Sequence, residues 1–185
     1  AAVYGGNMNL PLKETEIPFL PSPYASSKYM AELLCESYSR SFKVPVVVLR
    51  LFNVYGKGQS PNFLMGRILE GLGNGELSFK YGTKAKRDFT YVKDVLVAFE
   101  KALLYEQIRP VPYDVFNIGC GNSRSVQEVL DLVLEITKSD AKVVIGEEEQ
   151  RGGVSDSVAN IGKAKNLLGW EPKFNLEEGL RDMLQ

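Results

Sequence analysis

Apolar and polar positions change period several times along the chain, and each change marks an element. From Ser22 to Phe42, the residues Tyr24, Ser27, Lys28, Ala31, Cys35, Tyr38 and Phe42 recur every three or four positions, the spacing of one helical face. Ser22 is suited to cap this helix, and Pro23 to its first position, where no amide hydrogen is required. Pro45 then opens a strand whose Val46 to Leu49 stretch is wholly apolar, as in a parallel strand covered on both faces. The strand runs to Phe52 and ends in Asn53-Val54-Tyr55-Gly56, and side chains at the carboxyl end of a parallel strand project into the crevice where ligands sit.

The flanking segments follow the same logic. Ala1 to Gly6 reads as the end of a strand running into a loop, and Asn7 to Pro21 as a Pro-punctuated surface loop. Asn62 to Leu72 predicts a helix, Leu77 to Tyr81 a strand, and Gly82 to Lys86 a basic loop leading into Arg87 to Val92. Lys93 to Tyr105 predicts an amphipathic helix and Val115 to Ile118 a buried strand. Ser125 caps a helix over Val126 to Thr137, with Glu128 completing a capping box. Ala141 to Ile145 predicts a short strand, Glu147 to Gly153 a charged loop, and Ile161 to Leu168 and Leu176 to Met183 two closing helices.

Composition narrows the chemistry. An apolar share of 44% and a charged share of 24% are those of an ordinary soluble globule. A net charge of -1 gives no reason to expect nucleic acid or an anionic membrane surface as partner. No apolar run approaches the roughly 20 residues that span a bilayer. Cys35 and Cys120 lie far apart without metal spacing and read as buried thiols in a reducing cytoplasm. The absence of His removes Ser-His-Asp and Cys-His chemistry and His metal sites, and no metal site is expected. Proton transfer is left to Tyr, Lys, a carboxylate or Cys. Tyr24 and Lys28 are neighbours one helical turn apart, and an ammonium beside a phenol favours the phenolate. With nine Tyr in the chain, the same spacing also fits a tyrosine simply packed on a half-buried helix.

Six segments taken together, AVYGG, SPYASSK, LRLFNVYGKGQ, KRDFTYVKDV, VFNIGCGNSRSVQEV and AKNLLGWEPKFNLEEGL, resemble the nucleotide-sugar epimerases and dehydratases of the extended short-chain dehydrogenase/reductase family. The resemblance covers essentially the whole chain, in order. It implies an α/β fold: the C-terminal part of a Rossmann-like doubly wound sheet plus a small α/β substrate-binding domain. Residues 1–56 would be a remnant of the dinucleotide-binding domain with the Tyr-x-x-x-Lys helix. Residues 57–185 would be mainly substrate-binding, with 89–120 returning to the Rossmann sheet.

The resemblance also implies roles. Tyr24 would be the acid/base of an NAD-dependent reaction and Lys28 would hold the nicotinamide ribose, with Phe52 and Val54 beside the nicotinamide. Asn53, Asn62, Phe79, Tyr81, Arg87 and Arg151 would bind the nucleotide-sugar, the two arginines at its diphosphate, where a guanidinium fork suits anionic oxygens. The residues admit plainer readings as well: Arg87 paired with Asp88, Phe52 and Tyr81 as core, Asn53 as a turn residue, Arg151 solvated. The dehydratase branch carries Asp-Glu at the positions of Ala1 and Ala2, so the resemblance favours epimerisation, with a reductase of the same family or a non-catalytic sugar-nucleotide-binding fragment as alternatives. After Arg151 the family reads Pro-Gly-Asp-Val, whereas Gly152-Gly153-Val154-Ser155 follows here as if the aspartate were deleted, its part open to Asp156 if the loop shifts. No Gly-x-x-Gly-x-x-Gly turn follows a strand anywhere, and the expectation is a truncated form preceded by about a hundred or more residues. The Val46 to Phe52 edge would then need cover, and the Tyr24 helix would form a homodimer interface through Met30, Leu33, Leu34 and Tyr38.

Overall fold

A computed structural model describes residues 1–108, 113–148 and 154–185, without the side chains of 106–108 and 147–148. Helix α1 spans Pro23–Phe42; the Ser22 side chain accepts the Ala25 amide hydrogen bond at 3.2 Å, and Lys43 ends the helix in the left-handed conformation. Strand β1 (Val46–Leu51) follows, then β2 (Asn53–Tyr55), helix α2 (Leu64–Asn74), β3 (Glu76–Tyr81) and β4 (Lys86–Tyr91). Helix α3 (Val92–Ile108), β5 (Tyr113–Ile118), β6 (Ser123–Ser125), α4 (Val126–Thr137), β7 (Lys142–Glu148) and α5 (Leu176–Leu184) complete the order. Ala164–Leu168, within the expected helix before α5, is π-helical.

Among the described residues three small sheets result. β1 lies parallel to β5, from Val46 opposite Tyr113 to Leu51 opposite Ile118. β2 lies parallel to β4, which pairs antiparallel with β6, and β3 lies parallel to β7. Among the described residues β1 pairs with β5 alone, and the Ala1 nitrogen donates to the Leu51 carbonyl at 2.7 Å.

Alternation along β1 sends its two faces to different neighbours. Val47, Leu49 and Leu51 pack with Val95 and Ala98 of α3, Phe116, Ile118, Leu168 and Trp170, whose indole donates to the Asp94 carbonyl at 2.9 Å. Arg50 points to α1 instead and meets Glu32. The largest core joins β2, β3 and β4 to α2, α4 and α5 through Tyr55, Met65, Ile68, Leu77, Tyr91, Val129 and Leu180.

The structure departs from the sequence reading at five places. Ala2–Tyr4 is a turn of 3-10 helix rather than a strand end, because Val3 and Tyr4 are drawn into a core and the Tyr4 hydroxyl donates to Asn117 Oδ1 at 2.6 Å. β6 carries no apolar signal and exists because Lys86, Arg87 and Asp88 offer it a partner edge. β7 continues to Glu148, and α2 starts at Leu64, after a turn closed by the Phe63 amide on the Ser60 carbonyl. Cys35 is exposed and Cys120 only partly covered, so the expected pair of buried thiols is not found: α1 turns the Cys35 side outward.

Candidate functional site

The buried line of α1 is Ala25, Glu32 and Ser39, spaced by seven residues, or nearly two full turns. The face with Tyr24, Lys28 and Cys35 therefore looks away from the chain's own core, and Tyr24 is 62% exposed. The two expected reacting groups do meet: the Lys28 ammonium lies over the Tyr24 ring, 5.5 Å from its centroid. Both line a groove of about 370 Å³ between α1 and β1, together with Ala1, Ala2, Val3, Ala31, Glu32, Cys35 and Val48 to Leu51.

A second cavity, of about 200 Å³, opens at the start of β2 and β4 and the end of β3. β2 brings Asn53, β3 brings Phe79 and Tyr81, and β4 brings Arg87. Four residues picked from separate parts of the sequence thus share one wall. Two further cations line the same cavity, Arg67 and Lys80. Neither was singled out from the sequence, although Arg67 is the sole cation of α2 and Lys80 stands between two chosen aromatics.

Burial lowers the Arg87 guanidinium below its usual range, and the charge of Asp156 opposes that shift. Among the described residues its side chain makes one hydrogen bond, from Nη1 to the Lys86 carbonyl at 2.7 Å. The local pair with Asp88 does not form. Neighbours on a strand face opposite ways, and the Asp88 carboxylate accepts the amides of Cys120, Gly121 and Ala159. Arg87 is therefore held beside the cavity without an adjacent carboxylate bound to it, an arrangement suited to an anionic ligand.

The remaining expected residues fall elsewhere. Phe52 is in the core, packed with Val3, Tyr4, Leu12 and Ala159, and Val54 packs against the α3 core. Asn62 is exposed in the turn before α2 and does not line the cavity with Asn53. Arg151 lies outside the described residues. No group of three or more acidic or thiol side chains with metal-ligand geometry occurs among the described residues. No helix there is long and apolar enough to cross a membrane.

Residues 1–183 match the family described as GDP-mannose 4,6 dehydratase. The chain belongs to this family. Its sequence is 32% identical over 181 residues to an uncharacterized UDP-glucose epimerase, YtcB, of Bacillus subtilis, covering 97% of this chain and 56% of that protein. Its fold superposes on the UDP-glucose 4-epimerase of Thermotoga maritima, solved with UDP-glucose, with a TM-score of 0.89 at 36% identity, covering 99% of this chain and 59% of the other. It superposes on the UDP-glucuronic acid 4-epimerase of Bacillus cereus, solved with UDP-glucuronic acid and NAD, with a TM-score of 0.90 at 28% identity, covering 99% and 57%. The architecture is the Rossmann-like α/β fold of these proteins. The chain spans about half the length of the curated relatives it matches.

Proposed function

We propose that this chain provides the substrate side and the reacting pair of an NAD-dependent nucleotide-sugar epimerase, acting on a UDP-hexose at C4. The observation that carries the reading is the convergence of Asn53, Phe79, Tyr81 and Arg87, from three strands, on one cavity. The aromatics offer faces to a base, Asn53 an amide, and Arg87 with Arg67 and Lys80 positive charge for a diphosphate. Ala1 and Ala2 carry no side chain able to move protons at C5 or C6, which favours epimerisation over the dehydration for which the family is named.

The dinucleotide fits this chain in part. Tyr24 and Lys28 stand exposed on the groove beside β1 with a hydroxyl and an ammonium free to meet ribose and sugar hydroxyls, whereas the sequence holds no Gly-x-x-Gly-x-x-Gly turn for its diphosphate. NAD, when bound, supplies a reversible acceptor for the hydride of the sugar C4. Tyr24 takes the proton of the C4 hydroxyl as that hydride leaves, and returns a proton to the same oxygen once the sugar has presented its other face. Lys28, one turn on, would reach the ribose hydroxyls. Phe52 and Val54 would back the nicotinamide from the core side.

A homodimer through α1 belongs to the same proposal. Met30, Leu33, Leu34 and Tyr38 are exposed at helical spacing on one side of α1, and sedimentation should return twice the chain mass. Titration calorimetry tests the ligand reading: UDP-glucose should bind, and its failure to bind would remove the proposal.

A further inference from the structure

α1 is fastened by a buried ion pair as well as by apolar packing, in which Tyr29 joins the Val3, Tyr4 and Phe52 cluster. Of its buried residues, Ala25 is small and the Ser39 hydroxyl has no hydrogen-bond partner among the described residues. Glu32 makes the link. Arg50 of β1 donates Nε to both Glu32 oxygens at 3.1 Å and Nη2 to Oε2 at 2.7 Å. Its Nη1 donates to the Tyr4 hydroxyl at 2.8 Å and the Glu14 carbonyl at 3.2 Å. Burial alone would lower this guanidinium, but its hydrogen bonds to Glu32 and Tyr4 hold it above the usual range.

Lys28 precedes Glu32 by one turn, a spacing at which opposite charges on a helix ordinarily pair. They do not pair here. Among the described residues Lys28 forms no ion pair, and its ammonium lies over Tyr24 instead. Long helical side chains lean toward the N-terminus, which favours Tyr24. A Glu32 carboxylate stripped of its guanidinium would overcome that lean, because a buried charge without a partner is costly.

The other groups facing this point are poor rivals. Tyr4 and Tyr113 are both pushed up by burial and stay neutral, Cys35 carries no cation, and Arg40 is held by Glu36 at 2.6 Å. Lys28 is the cation within one turn of Glu32.

We propose that Arg50 is a positioning residue: by occupying both oxygens of Glu32 it leaves Lys28 directed at Tyr24, in the groove that all four side chains line. The proposal rests on Tyr24 and Lys28 being the reacting pair, but its test needs no turnover, so the two fail separately. Lys28→Met is introduced into the wild-type chain, into Arg50→Gln, and into the double variant Glu32→Gln/Arg50→Gln, and urea midpoints are measured. The midpoint should stay put in the first and third backgrounds and fall in the second, by on the order of 0.5 M. An equal shift in all three backgrounds overturns the proposal. A second measurement uses the unaltered chain and survives any failure of Arg50→Gln to fold. A through-hydrogen-bond coupling between Lys28 Nζ and the Glu32 carboxyl carbon should be absent from NMR spectra, and its detection would also overturn the proposal.

Discussion

The Asp88 carboxylate accepts the backbone N–H of Ala159 at 3.0 Å, across 71 residues of chain. The same carboxylate accepts the amides of Cys120 and Gly121, so one side chain pins β4, the turn after β5 and the segment before the π-helical stretch. Gly119 has to be a glycine beside it, since an added Cβ would lie 2.5 Å from that of Ala159 and 2.7 Å from Asp88 Oδ2.

Burial pushes Asp88 up to about 6, against the opposing pull of its amide hydrogen bonds. For an acid whose folded pKa lies above its unfolded value, the stabilising contribution is complete below the unfolded pKa and is lost as pH rises through the folded one. Urea midpoints of the wild type should therefore fall between about pH 4 and pH 6, by on the order of 2 kcal/mol in stability. Asp88→Asn should flatten that slope, while lowering stability throughout because its amide hydrogens face amide donors.

Replacing Arg87 by Met should weaken UDP-glucose binding in calorimetry by about tenfold to a hundredfold, as expected for a lost charge-assisted hydrogen bond of roughly 1.5–3 kcal/mol. Thermal stability should be nearly unchanged. Unaltered affinity would move the diphosphate away from this cavity.

Tyr24→Phe should leave stability within about 0.5 kcal/mol of wild type, since the side chain is mostly exposed and its hydroxyl holds no part of the fold. In a turnover assay with UDP-glucose and NAD, any epimerase activity should disappear while sugar-nucleotide affinity stays near wild type. Undiminished turnover would take Tyr24 out of the mechanism.

Gly179 allows α5 to lie against Tyr55, whose hydroxyl sits where a Cβ at 179 would be. Gly179→Ala should destabilise by about 1–3 kcal/mol through overpacking. Tyr55→Phe should recover much of that loss, because the deleted hydroxyl makes only a 3.4 Å hydrogen bond to the Leu176 carbonyl. Denaturation followed by the fluorescence of the single, buried Trp170 measures both.

Local signals carried far in this chain. Ser125 and Glu128 form the reciprocal cap read from their spacing, with the Ser125 amide donating to Glu128 at 2.7 Å and the Glu128 amide to Ser125 Oγ at 3.1 Å. Ser22 and Pro23 open α1 where the sequence places its start. Such features need only neighbours in sequence, and the apolar run of β1 needs only burial on both faces. Cys35 is exposed, against the reading as a buried thiol, because the number and separation of cysteines say nothing of which way a helix face turns.

The sequence by itself determined where the long helices and the apolar strands form, and that Tyr24 and Lys28 share a turn, because capping, backbone restriction and hydrophobic period act within a few residues. Only the tertiary structure decided that α1 binds the sheet through Glu32 and Arg50 and shows Tyr24 outward. It alone brought Asn53, Phe79, Tyr81 and Arg87 to one cavity. Those outcomes depend on parallel pairing between strands far apart in the chain and on a buried charge finding its partner, and neither leaves a period in the sequence.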